Sequence, residues 1–299
     1  MGSNRLKTIL SLVSGLNTRV IVGLLVIPAV AALAGCSGAS GGLSMFKSSA
    51  KPENAADEAP EKIYADAEAL IAKGKLEDAA KKFEEVDRVH PYSKYARRSI
   101  VMSAYAYYKN DDYPKAINAA ARYIKLHPGT KESAMAYNII ASSHFDQVQD
   151  PKRDQARSKK ALIALKTLVQ RYPNSKYAAK AKNRIRIVSD VLAASEMNVG
   201  RYYLKRSNYL AAINRFKTVV KDYQTTQQVE EALYRLTEGY LALGVGNEAQ
   251  TAAAVLGHNF PTSKWYKDAY AVLQKSGLTP KVSEGSWITK AWSTSVQSG

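Results

Sequence analysis

From Ile63 to Pro91 apolar and polar positions alternate with the period of an amphipathic helix, and the pattern is interrupted once, at Gly74. The stretch IYADAEALIAKGKLEDAAKKFEEVDRVHP therefore predicts two helices folded back on each other. Small residues Ala67 and Ala79, twelve positions apart, fall where the helices would cross, and Phe83 and Val86 follow on the inner face of the second. Pro91 ends the unit, because proline cannot extend a helix. A single pair cannot bury its own apolar face, so it needs neighbours stacked against it.

The chain supplies them. A shift of 37 places Ala104, Ala116, Tyr123 and Pro128 on the marks of Ala67, Ala79, Val86 and Pro91. The third copy carries Ala141, then Ala161, Leu165, Leu168 and Pro173 after eight additional residues, Gln147 to Asp154. The fourth carries Gly200, Ala212, Phe216 and Val219, with Gln224 in place of the proline; the fifth carries Leu236, Tyr240, Ala249, Leu256 and Pro261. An aromatic residue or His precedes each closing mark, and Ser93, Thr130, Ser175, Thr226 and Ser263 follow as candidate helix caps. These marks resemble the tetratricopeptide repeat. The expected fold is all-α, an α-solenoid of five such helix pairs. Between Pro173 and Gly200 the rhythm stretches by about four helical turns, which predicts one long helix from about Ser175 through Arg206. It would join an N-terminal block of three pairs (61–173) to a C-terminal block of two with a capping helix (174–277).

Composition changes the picture at both ends. Arg5, Lys7 and Arg19 precede the apolar run VIVGLLVIPAVAALA, too short for a comfortable membrane span, which ends in Leu33-Ala34-Gly35-Cys36. This tetrapeptide resembles the lipobox of bacterial lipoproteins. It implies cleavage of residues 1–35, acylation of Cys36, and, with Ser37 next, transfer to the periplasmic face of the outer membrane. Two or more acyl chains at about 0.8 kcal/mol per methylene hold such a protein on a bilayer. Cys36 is the single cysteine, so no internal disulfide is possible. Residues 36–60 read as the lipidated Cys and a flexible tether, with a root-mean-square reach of about 25–29 Å. Residues 278–299, with Trp287 and Trp292 amid Ser, Thr and Gly, are expected to be disordered, a short docking segment being the alternative.

The chain carries a formal charge of +17. An export signal and the absence of a binding motif argue against nucleic acid, which leaves anionic lipid or an acidic protein. The run Lys180 to Arg186 reads equally as a solvated helix face or as a surface for an acidic partner. His90, His127, His144 and His258 have no carboxylate or cysteine partners at ligand spacing, and no phosphate loop or nucleophile elbow occurs. No metal, cofactor or catalytic residue is expected.

The segments AYYKNDDYPKA, DPKRDQARSKKAL, RYPNSKYAAKAKNR and VGRYYLKRSNYLAAINRF, with the lipobox, resemble the BamD family of outer-membrane assembly lipoproteins over most of residues 60–245. The resemblance implies a non-enzymatic scaffold of the machine that folds β-barrel proteins into the outer membrane. Its C-terminal repeats would bind the periplasmic part of the barrel subunit BamA, and accessory lipoproteins of the BamE and BamC kinds would join it. Arg215, beside Asn214, matches the family arginine that pairs with BamA; its planar fork suits a carboxylate. The N-terminal repeats would receive the C-terminal signal of unfolded barrel precursors. Repeat spacing sets Glu68 and Ile71, Tyr105 and Tyr108, Ser142 and Phe145 along the concave surface, with Tyr64 and Asn138 preceding them. Tyr107 is read as packing between repeats, whereas Tyr105 and Tyr108 fit either role. Two other classes stay open: a periplasmic repeat adaptor regulating peptidoglycan synthesis or envelope constriction, and an enzyme acting on envelope polymers.

Overall fold

The computed structural model describes residues 58–296, whose regular elements are all helices, with no strand among them. The signal segment, Cys36 and nearly all of the tether lie outside the described residues. Five helix pairs follow in chain order: α1 (Pro60–Ala72) with α2 (Leu76–Val89), α3 (Ala96–Lys109) with α4 (Tyr113–Leu126), α5 (Ser133–Phe145) with α6 (Ala156–Arg171), α7 (Ala178–Lys205) with α8 (Tyr209–Asp222), and α9 (Gln228–Ala242) with α10 (Gly246–Asn259). They are closed by α11 (Lys264–Lys275) and α12 (Trp287–Val296). From α1 to α11 each helix packs on the next, and the first helices also meet across repeats, α1 on α3, α3 on α5 and α7 on α9. The second helices thus form the outer side of the solenoid. The long helix α7 has 28 residues and belongs to the fourth pair, as the stretched spacing implied.

Crossings form where the small residues stand. Ala67, Ala79, Ala104, Ala116, Ala141, Ala161, Ala212 and Ala249 are fully buried. At the fourth crossing a glycine is required: a Cβ on Gly200 would lie 2.8 Å from Cδ1 of the buried Phe216 ring. The residue before each closing mark, from His90 to Phe260, is the C-cap of its helix, its N–H donating to the carbonyl four residues back. A proline next in sequence favours just this extended departure.

The expected hydroxyl caps need correction. Ser263 caps α11, accepting from Trp265 N at 3.1 Å. Ser93, Thr130, Ser175 and Thr226 stand earlier, in the turn ahead of the helix, where the N-caps are Tyr95, Glu132, Tyr177 and Gln227. Thr130 and Thr226 close the inter-repeat turn, each donating its hydroxyl to the carbonyl of the preceding C-cap, His127 and Tyr223, whereas Ser93 Oγ does accept from Ala96 N, the first N–H of α3, at 3.1 Å.

Four of the turns inside pairs place one residue in the left-handed region: Gly74, Asp111, Ser207 and Gly244. Glycine adopts it freely, while Ser207 is held at φ 56°. Ser207→Gly is expected to stabilise the chain by about 0.5–1 kcal/mol, read as a higher urea midpoint with an unchanged slope. An unchanged or lower midpoint would mean that the serine is not strained.

The C-terminal segment is not disordered over its described part. After Leu278 the chain runs along α10, with Gln250 Nε2 donating to Thr279 O at 2.7 Å and Ser286 Oγ donating to Glu248 Oε2 at 2.6 Å. Helix α12 then packs on α8 and α10. Ile288 is fully buried, Trp287 Nε1 donates to Tyr240 Oη at 2.8 Å, and Gln224 Nε2 donates to Ala291 O at 3.0 Å. Gln224 thus uses the place of the repeat proline to hold α12, a bond that proline could not make.

Candidate partner-binding surfaces

Two surfaces carry the predicted residues. On the first helices of the N-terminal block, Tyr108 of α3 donates to Asp146 Oδ2 at 2.8 Å, just past the end of α5. Arg184 of α7 donates to Ser142 Oγ at 2.6 Å, lies 4.5 Å from the Phe145 ring centre, and stands 3.8 Å from Asp146 Oδ1. Burial, and then the bond to Asp146, push the Tyr108 hydroxyl pKa up, so it remains a donor at neutral pH. Tyr108, Ser142 and Phe145 are therefore brought together around an Asp146–Arg184 pair that repeat spacing did not single out. Arg184 belongs to the basic run noted in the sequence, but its approach to α5 exists only once the repeats stack.

The remaining groove residues divide. Tyr105 is half-buried against the core of the second pair, with Ile71 beside it, while Asn138 is half-buried and Glu68 is exposed. Tyr64 does not line an open surface. It is 5% exposed, its ring 5.2 Å from Phe83 and 5.3 Å from Tyr95. It belongs to one buried cluster with Ile63, Ala67, Phe83 and Val86, which makes Tyr64 a core residue of the first pair. Tyr107 is buried, consistent with packing between repeats.

Near the starts of α3 and α5 and the turn before α7 lies a cleft of about 520 Å³ that sequence reading missed. Arg98, Lys131 and Lys176 contribute cations to its wall, and Met102 and Met135 contribute apolar surface.

The second surface is on the C-terminal block. Asn214 and Arg215 project from α8 and, with Tyr203 and Thr218, line a shallow cleft of about 300 Å³. Arg215 Nη1 donates to Glu196 Oε2 of α7 at 3.1 Å, with side-chain exposures of 46% and 21%. Such a solvent-facing pair contributes about 0–1 kcal/mol, so the guanidinium can be exchanged to another carboxylate at small cost. Arg201 Nε and Nη2 donate to Glu231 at 2.9 and 2.7 Å, and Arg235 reaches the same carboxylate at 3.2 Å. Burial pushes the Glu231 carboxyl up, but the bonds and charges of the two arginines outweigh it and hold the pKa below its usual value. Among the described residues no group of His, Cys, Asp or Glu is arranged to hold a metal ion.

The family model described as "YfiO: Outer membrane lipoprotein" matches residues 56–256. The chain is 44% identical over 253 residues to the outer membrane protein assembly factor BamD of Caulobacter vibrioides, covering 84% of this chain and 80% of the relative. It is 37% identical to the proteins of that name from Rickettsia prowazekii, covering 71% and 84%, and from Neisseria meningitidis serogroup A, covering 70% and 82%. The chain belongs to the BamD family. The BamD family match contains both surfaces and stops short of the α12 strap, which begins after residue 256.

Proposed function

We propose that this BamD-family chain is a non-enzymatic scaffold of the outer-membrane β-barrel assembly machine, anchored through acylated Cys36 to the periplasmic face of the outer membrane. Its relatives are named outer membrane protein assembly factors. The C-terminal block holds the periplasmic part of a BamA-like barrel subunit, and accessory lipoproteins of the BamE or BamC kind join the assembly. The observation that carries this reading is Arg215. It sits beside Asn214 on an open helix face, in a pair weak enough to be traded for a partner's carboxylate.

The N-terminal block receives the C-terminal signal of unfolded barrel precursors. Tyr108 and Phe145 offer aromatic contact, and the 520 Å³ cleft sets Arg98, Lys131 and Lys176 beside apolar surface, a fit for a chain that ends in an aromatic residue and a carboxylate.

The experiment is a mild-detergent pull-down of tagged wild type and Arg215→Glu from the native envelope, with mass spectrometry of the partners and of the N-terminal peptide. Wild type is expected to bring down a BamA-like barrel and to carry lipid on Cys36. Arg215→Glu is expected to weaken that capture by about thirtyfold or more, while changing stability by only about 0.5 kcal/mol, as exposed helix substitutions do. Undiminished capture removes Arg215 from the interface. Recovery of cell-wall enzymes in place of the barrel overturns the assembly reading.

A further inference from the structure

Helices α4 and α6 lie on the outer side of the solenoid and together hold eight cations and no carboxylate: Lys115, Arg122 and Lys125 on the first, Arg157, Lys159, Lys160, Lys166 and Arg171 on the second. All eight are exposed. Their counterpart α2 is different, with three cations against five carboxylates in the same length. Lys115 and Arg122 have ion-pair partners in Asp112 and Asp87. Among the described residues no carboxylate stands within 4.0 Å of Lys125, Arg157, Lys159, Lys160 or Lys166. The loop before α6 adds Lys152 and Arg153, and its two aspartates are engaged with backbone, Asp150 accepting from Lys152 N and Asp154 from Ala156 N.

Lys125 and Arg171 stand in the last turns of their helices, where the dipole favours cations, but the cations at the start of α6 do not serve stability. Arg157, Lys159 and Lys160 crowd the start of α6, the end where a helix dipole favours carboxylates. Each helix also shows one bare aliphatic side chain beside its cations, Ile163 at 67% and Leu126 at 51% exposure. On α6, Lys159, Ile163 and Lys166 follow at four- and three-residue spacing, so charge, aliphatic and charge line one outward stripe.

From these observations we infer that the α4–α6 face lies against a layer of anionic phospholipid headgroups. Lysines predominate, and an ammonium on a flexible stem attracts negative charge without demanding the fixed geometry of a carboxylate partner. The charges are spread over two helices and a loop, as suits a sheet of diffuse charge, while Ile163 and Leu126 can enter its interfacial layer. Among the described residues no helix is long and apolar enough to cross a membrane, so the contact is at the surface. The acyl anchor of the proposed function would keep this face within reach of a bilayer, but the attraction itself needs no anchor.

The test uses the anchor-free chain, residues 37–299, which retains every hydrophobic cluster described, from Ile63 to Trp292. It is floated with phosphatidylglycerol–phosphatidylcholine vesicles and with pure phosphatidylcholine vesicles. Binding is expected to the anionic vesicles alone and to be released by salt. Combined Lys159→Gln, Lys160→Gln and Lys166→Gln should weaken it about a hundredfold, whereas Lys264→Gln, Lys267→Gln and Lys275→Gln on α11 should change it less than about twofold. Equal binding to neutral vesicles, no binding to either, or equal losses from both triple variants overturns the inference. So does a result in which the α6 triple variant leaves vesicle binding intact but strips an acidic protein from the envelope pull-down. Capture of the BamA-like barrel by the α6 variant should be undiminished, so failure here and failure of the scaffold reading are separate outcomes.

Discussion

Phe216→Ala is expected to destabilise the C-terminal block by about 3–5 kcal/mol. The ring is fully buried and stands over Gly200, the one crossing position without a Cβ, so α7 and α8 approach through it. Phe216 shares one buried cluster with Met197, Val219, Leu233 and Leu236, each fully buried. Because these side chains are fixed by three different helices, the cavity cannot collapse onto the glycine without moving α7. Repeat arrays add up from pairs and their neighbours, so the loss should be local. Hydrogen exchange should show faster exchange in α7 to α10 while α1 to α4 keep their protection. An equal loss of protection in α1 to α4 would mean that the solenoid opens as a single unit and that Phe216 is not a local wedge.

The parts of the molecule that were legible beforehand are those whose signal is local and repeated. Ala67, Ala104 and Ala141 recur at one interval because each crossing has the same geometric demand, and the stretched spacing before Gly200 could only be absorbed by a longer helix. What escaped depends on distant partners. Tyr64 occupies a groove-facing position by count, yet contacts with Phe83 and Tyr95 draw its ring inward. The strap from Leu278 onward is polar enough to read as disordered; its burial comes from Gln224, Tyr240 and Glu248, residues up to 67 positions away. Its signal was present in part, since Ile288 and Trp292 lie four apart and Gln224 broke the proline rule. Arg184 and Asp146 were hidden for the same reason, joined only by the stacking of α7 on the preceding pair.

Replacing Glu231 by alanine should cost about 3 kcal/mol near neutral pH, the second-largest loss expected. The carboxylate is 13% exposed and is the common acceptor for Arg201 of α7 and Arg235 of α9. Its removal leaves Arg201 with Asn198 as a neutral partner, and Arg235 with Glu238 at 2.7 Å. The pH dependence follows from the direction of the shift. Glu231 has a folded pKa below its unfolded value, near 4.3, so its contribution is whole above that value and is lost as pH falls through the folded pKa. The stability gap between wild type and Glu231→Ala should therefore be flat from about pH 6 to 8 and should narrow below about pH 4. Arginine stays charged throughout, so the narrowing belongs to the carboxylate alone. A gap that persists undiminished into acid would assign the loss to packing, and the link between α7 and α9 would then rest on shape and not on charge.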